Sequence, residues 1–300
     1  MNKIVTHLWF DKEAKEATAF YTGLFSDSKI TNITTITDTP SGDCDIVSFD
    51  LLGIPFQAIS AGPYFKINPS ISLMVNFDPS KDDQARGRID EVWEKLADGG
   101  KVLMPLDRYP FSEHYGWVQD RYGLSWQLIL TNPEGEERPA IIPSLLFVGE
   151  VCGKAEEASR FYTEVFKDSK RGITAYYPAG MEPDKEGTVM FTDFRLGSTW
   201  FAAMDSAGKH DFAFNEAISF IVKCDSQEEV DYYWDKLSAV PEAEQCGWLK
   251  DKYGVSWQIV PTIMDEIMAS GDEEKTARVT QVFLKMKKFD IQTLQKAYEG

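Results

Sequence analysis

The 300-residue sequence predicts an α+β protein, a tandem duplication of paired β-α-β-β-β modules followed by a C-terminal helical tail. Two observations carry that expectation. The chain repeats itself, and within each repeat the apolar positions alternate between the two-residue period of a strand and the 3.6-residue period of a helix. FYTGLFSDSK at 20–29 returns as FYTEVFKDSK at 161–170, with seven of ten positions identical. YGWVQDRYGLSWQLIL at 115–130 returns as CGWLKDKYGVSWQIVP at 246–261, with eight of sixteen identical. Between them ISLMV (71–75) answers ISFIV (218–222), and VWEKL (92–96) answers YWDKL (233–237). The division that follows is a first domain at 1–131, a linker rich in Pro, Gly and charge at 132–140, a second domain at 141–262 and a tail at 263–300.

The elements follow in order. Residues 3–10 alternate as a strand, and Ala14, Ala17, Tyr21, Leu24 and Phe25 lie on one helical face. Strands are expected at 30–37, 45–51 and 54–60, the last two joined by a tight turn at Gly53. The second module opens with a strand at 71–77. A helix carrying Ile89, Val92, Trp93 and Leu96 follows and closes at Gly99 and Gly100. Strands near 101–106, 115–120 and 124–130 complete it. The second half repeats the plan, with Ser226 and Glu229 spaced as a capping box. It is ten residues shorter before its Gly-Trp strand, where the first half carries ADGGKVLMPLDRYPFSEH as an apparent loop insertion. In the tail, Val279, Val282, Phe283 and Met286, then Ile291, Leu294 and Ala297, form two short amphipathic stripes. Such stripes pack on a domain or across a homodimer.

Composition narrows the function. Hydrophobic residues make up 43% and charged residues 26%, as in globular proteins. The net charge of −17 repels phosphate backbones and anionic lipid, which argues against nucleic-acid binding and membrane docking. Cys44, Cys152, Cys224 and Cys246 form no C-x-x-C pair, so reduced thiols are expected. The N-terminus has no signal-like apolar run and no segment is long enough to span a bilayer, which makes a cytoplasmic location the expectation.

The motifs FY-x₃-F-x-DSK, ISLMV and GW-x₂-D-x-YG-x-SWQ together resemble the PhnB-like branch of the vicinal oxygen chelate superfamily, the superfamily of glyoxalase, bleomycin-resistance and dioxygenase proteins. The branch also bears the label 3-demethylubiquinone 3-methyltransferase domain. The resemblance implies two modules side by side, their mixed sheets curled into a U around a cleft. In enzymes of the superfamily that cleft holds a divalent metal on His and Glu ligands from the first and last strands of each module.

Carried over by position, those ligand sites fall on Val5, Gln57, Ser70 and Gln127 in the first half and near Leu145, Ala202, Ala217 and Gln258 in the second. His7 lies two residues beyond Val5 on the same strand face. Imidazole is scarce and carboxylate is missing from this set, so no metal cofactor is expected. Gln127 and Gln258 should point into their clefts, with Trp9 as a wall, whereas Trp117, Trp126, Trp248 and Trp257 are expected in the core. Arg108, Tyr109 and His114 of the insertion could close over a polar small molecule. No phosphate-binding glycine loop or nucleophile elbow occurs, so the methyltransferase label gains no support. The expected function is metal-independent small-molecule binding. The alternatives are a metal-assisted lyase, isomerase or dioxygenase acting in the first domain, and a degenerate pair whose second domain only stabilises the first.

Overall fold

In the computed structural model, residues 3–132, 134 and 136–300 are described. The first module comprises β1 (Ile4–Phe10), α1 (Ala14–Thr22), β2 (Lys29–Thr39), β3 (Gly42–Leu51) and β4 (Ile54–Ser60). The second comprises β5 (Ile71–Phe77), α2 (Ala85–Ala97), β6 (Lys101–Tyr109), β7 (Ser112–Gln119) and β8 (Ser125–Leu130). The third comprises β9 (Ile141–Phe147), α3 (Ala155–Val165), β10 (Lys170–Tyr176), β11 (Val189–Leu196) and β12 (Thr199–Asp205). The fourth has β13 (Ile218–Cys224), α4 (Gln227–Leu237), β14 (Trp248–Lys250) and β15 (Ser256–Pro261). It contains three strands, because a one-turn 3-10 helix at Pro241–Ala243 stands where the fourth would form. Proline there supplies no N–H to a ladder.

The modules do not pair within their own halves. One sheet runs β14-β15-β13-β1-β4-β3-β2 and joins the first module to the fourth. The other runs β10-β11-β12-β9-β5-β8-β7-β6 and joins the third to the second. The seams are antiparallel, with His7 opposite Ser219 and Ser72 opposite Ser144. Beside each seam the pairing is parallel, β1 with β4 and β5 with β8. Each opening strand would otherwise leave a bare edge, and the opening strand of a non-equivalent module in the other half covers it. Each curled sheet therefore draws on both halves, which differs from the expectation of one cleft per half.

Alternation along β1 separates two faces. Ile4, Leu8 and Phe10 join the main core with Tyr21 of α1, while Val5, His7 and Trp9 point the other way, into the cleft. The main core is continuous through all four modules, and Trp126 and Trp257 are at its centre.

The repeated D-x-YG-x-SW motif explains itself here. Asp251 accepts bonds from the backbone N–H groups of Tyr253 and Val255, from Trp257 Nε1 at 2.9 Å and from the Tyr162 hydroxyl at 2.7 Å. Asp120 likewise accepts from Tyr122 N, Leu124 N and Trp126 Nε1. The motif that repeats most clearly is thus a buried folding node.

The tail holds three helices, α5 (Ile263–Ala269), α6 (Glu273–Phe283) and α7 (Ile291–Glu299), one more than the stripes suggested. Its apolar side chains Met264, Ile267, Val279, Phe283, Phe289 and Leu294 form a small core of their own. Much of the two stripes packs within the chain, with Met286 and Ala297 partly buried against this core.

Candidate functional site

The cleft of the seven-stranded sheet gathers four polar side chains. His7 on β1 has Ser219 on β13 and Gln57 on β4 as its register partners, so all three share one face. Gln258 on β15 is opposite Trp248 on β14 and donates from Nε2 to Ser219 Oγ at 2.9 Å. Ser219 Oγ in turn lies 3.5 Å from His7 Nδ1. His7, Ser219 and Gln258 are buried, and Gln57 is half-buried. Trp248 meets His7 edge to face with ring centroids 5.5 Å apart and meets Trp9 at 6.0 Å. Trp9 donates its indole N–H to Gly62 O at 2.8 Å, which fixes it as a wall beside Phe65. Burial removes the water that would solvate an imidazolium, and it pushes His7 down to about 3. The ring is therefore neutral at pH 7, one nitrogen donating and the other accepting.

The cleft of the eight-stranded sheet is chemically different. Gln127 is buried and used at both ends, accepting from the Tyr115 hydroxyl at 2.9 Å and donating to Ser144 Oγ at 3.5 Å. Ser125 Oγ accepts from Trp117 Nε1 and bonds Ser72. Arg138 pairs with buried Asp193 at 2.7 Å and lies 3.8 Å above the Trp200 ring, crossing one arm of this sheet. Both ends of Gln127 are occupied by protein, as in a structural amide.

The residues expected to close over the site do not do so together. The presumed insertion loop is the β6–β7 hairpin. Its outer strand is at the sheet edge, where Pro105 is tolerated. His114 points to α2 and bonds Asp90 through Nε2 at 2.7 Å, on the face away from the cleft. Arg108 is exposed and paired with Glu113. Tyr109 stacks on Phe111 and packs edge-on against Tyr115, next to Gln127. The structure thus brings together His7, Trp9, Gln57 and Gln258, and it separates from them Gln127, Arg108, Tyr109 and His114.

Three cleft residues escaped the sequence reading. Ser219 became visible only through the seam between halves. Trp117 and Trp248 are the register partners of Gln127 and Gln258, so they face the clefts rather than the core. Alternation within the hairpin was the available signal.

The donor set in the first cleft is one imidazole, two amides and a hydroxyl. It carries no negative charge, and neutral amide and hydroxyl oxygens hold first-row divalent ions weakly. Among the described residues no group of three His, Cys, Asp or Glu side chains is placed to hold a metal. The residues present do not fit the superfamily's metal.

Comparison with known proteins agrees with this architecture. Glyoxalase I from Zea mays, 11% identical, covers 88% of this chain and 95% of its own with a TM-score of 0.55. A putative dioxygenase from Bacillus subtilis, 12% identical, covers 98% of this chain and 94% of its own at 0.51. Both likenesses are of fold. A putative 3-demethylubiquinone-9 3-methyltransferase, PhnB protein, from Bacillus cereus is 38% identical over 43% of this chain and all of its own, with a TM-score of 0.38. No curated protein matches. No helix among the described residues is long and apolar enough to cross a membrane. The family described as 3-demethylubiquinone-9 3-methyltransferase matches residues 2–129 and again 139–260, and the chain belongs to this family.

Proposed function

We propose that the chain binds a small, planar, polar-aromatic molecule in the cleft of the seven-stranded sheet, without a metal ion. The observation that carries this reading is the placement of His7, Gln57, Ser219 and Gln258 on one sheet face beside the touching indoles of Trp9 and Trp248. Neutral donors and acceptors beside aromatic rings suit a ligand held by aromatic contact and a few directed hydrogen bonds. Chelation of vicinal oxygens by a Lewis acid would call for a different donor set. The enzymatic alternative also assumed that the first half holds a complete cleft, whereas this cleft takes two of its four polar side chains from the second half.

The test is thermal unfolding of chelator-treated protein against a panel of planar aromatic acids, amides and heterocycles. Binding to the native state raises Tm by mass action. The expected result is stabilisation by panel members that added zinc, nickel, manganese or iron leaves unchanged. Stabilisation only in the presence of one of those ions would favour the lyase, isomerase or dioxygenase reading.

A further inference from the structure

We propose that residues 262–283 form a strap that closes the cleft of the seven-stranded sheet and must lift to admit a ligand. The proposal rests on the assignment of that cleft as the binding site. The strap lies beyond the stretches matched by the family, which end at 260. It leaves β15 at Pro261, tied by Thr262 N to Cys224 O at 2.9 Å. Asp265 of α5 pairs with Lys223, still on the fourth module. One turn later, Met268 packs into a separate small cluster with Ile36, Cys44 and Ala61 of the first module, joined by Ile46, Ile59 and the cleft wall Trp9. Ile59 is the register partner of Trp9, and Ile46 and Cys44 follow on the same face, so Met268 sits on the cleft side of the sheet. The α6 helix then runs beside β2. The strap bridges from one arm of the U to the other.

It is also built to move. The far end of the tail is anchored on the fourth module by Cys246 N to Met286 O at 2.8 Å, Gly247 N to Lys287 O at 2.7 Å, and Gln227 to both Phe289 O and Ile291 N. Between the two anchored ends, the apolar contact with the first module rests on Met268 and a handful of side chains. The tail's own core is distinct from the main one, so it can separate without opening the sheets. Gly271, at φ +69, and Ser270 join α5 to α6 and provide a hinge. Methionine suits a plug that must leave and return, being unbranched and tolerant of irregular packing.

Cys44 reports on the strap without any ligand. It is 2% exposed within the Met268 cluster, while Cys224 is fully buried in the main core. Native full-length protein is pulsed with iodoacetamide and the labelled thiols are assigned by peptide mass. If the strap lifts locally, Cys44 labels at least about tenfold faster than Cys224, which waits for wider unfolding. Met268→Ala widens that ratio. So does Leu294→Ala, which loosens the tail core far from Cys44, whereas Met268→Leu leaves it near the native value. Equal labelling of the two thiols would overturn the proposal. Fast Cys44 labelling that ignores Leu294→Ala would also overturn it, because fraying of the β2–β3 hairpin would then be the cause. A labelling pattern as expected, beside a ligand panel without a binder, would leave the strap standing and remove the binding assignment.

Discussion

His7 and Trp248 meet edge to face with ring centroids 5.5 Å apart, though one belongs to the first strand of the chain and the other to the last hairpin of the second half. That contact exists because β1 pairs with β13 instead of with β5. The duplication therefore acts as an internal dimer, in which neither half owns a cleft and each cleft needs both.

The two halves make the buried aspartate node unequally well. Tyr162 donates to Asp251 at 2.7 Å, whereas its counterpart Tyr21 is buried facing Asp120 but without a well-formed hydrogen bond to it. Tyr162→Phe should cost about 1–2 kcal/mol, and Tyr21→Phe, whose contact with Asp120 is the poorer one, should cost less. Asp251→Ala, which strands four donors, should cost at least about 3 kcal/mol. Urea denaturation of the three variants checks the order.

His7 makes stability sensitive to acid. Its folded pKa is pushed down to about 3 by burial, below its ordinary value of 6.5. Above pH 6.5 the ring is neutral whether folded or unfolded and contributes no slope. As pH falls from 6.5 toward 3, the unfolded chain takes up a proton that the folded one refuses. Stability should drop by as much as about 1.4 kcal/mol per pH unit across that window. His7→Gln should remove this component, so the difference between variant and native protein should shift in the variant's favour by roughly 2 kcal/mol between pH 7 and pH 5. Denaturant titrations at both pH values measure it, and parallel curves would contradict it.

Gly247 is required twice over. Its φ is +81, and a Cβ there would come within 2.7 Å of the Phe289 ring and 3.0 Å of Ile259 O. Gly247→Ala should destabilise by roughly 1–3 kcal/mol and unseat the tail first. Limited proteolysis should then cut within 262–300 while the two sheets persist.

Much of the fold was legible because strand and helix periods are local. The expected strands at 54–60 and 71–77 match β4 and β5 residue for residue, and the Gly53 turn is observed with φ +73. Sheet order was hidden, since a seam depends on which bare edge meets which across the whole chain. The cleft was half legible. The family resemblance carried Gln57 and Gln258 to cleft positions and alternation along β1 added His7 and Trp9, but only the seam united them. The hairpin of Arg108, Tyr109 and His114 looked like a loop because its two prolines break the strand pattern. The α5 helix was missed because it is barely two turns long, although Met264, Ile267 and Met268 carry helical spacing.

The claim at the centre of this account is a metal-free site assembled from both halves. Isothermal calorimetry of a panel binder, run in chelator, tests it most directly. Binding should survive chelation and Gln127→Ala, and should weaken at least about tenfold in both His7→Ala and Gln258→Ala, a loss of about 1.4 kcal/mol each. Binding that requires a divalent ion, or that is lost with Gln127→Ala and indifferent to His7 and Gln258, would contradict it.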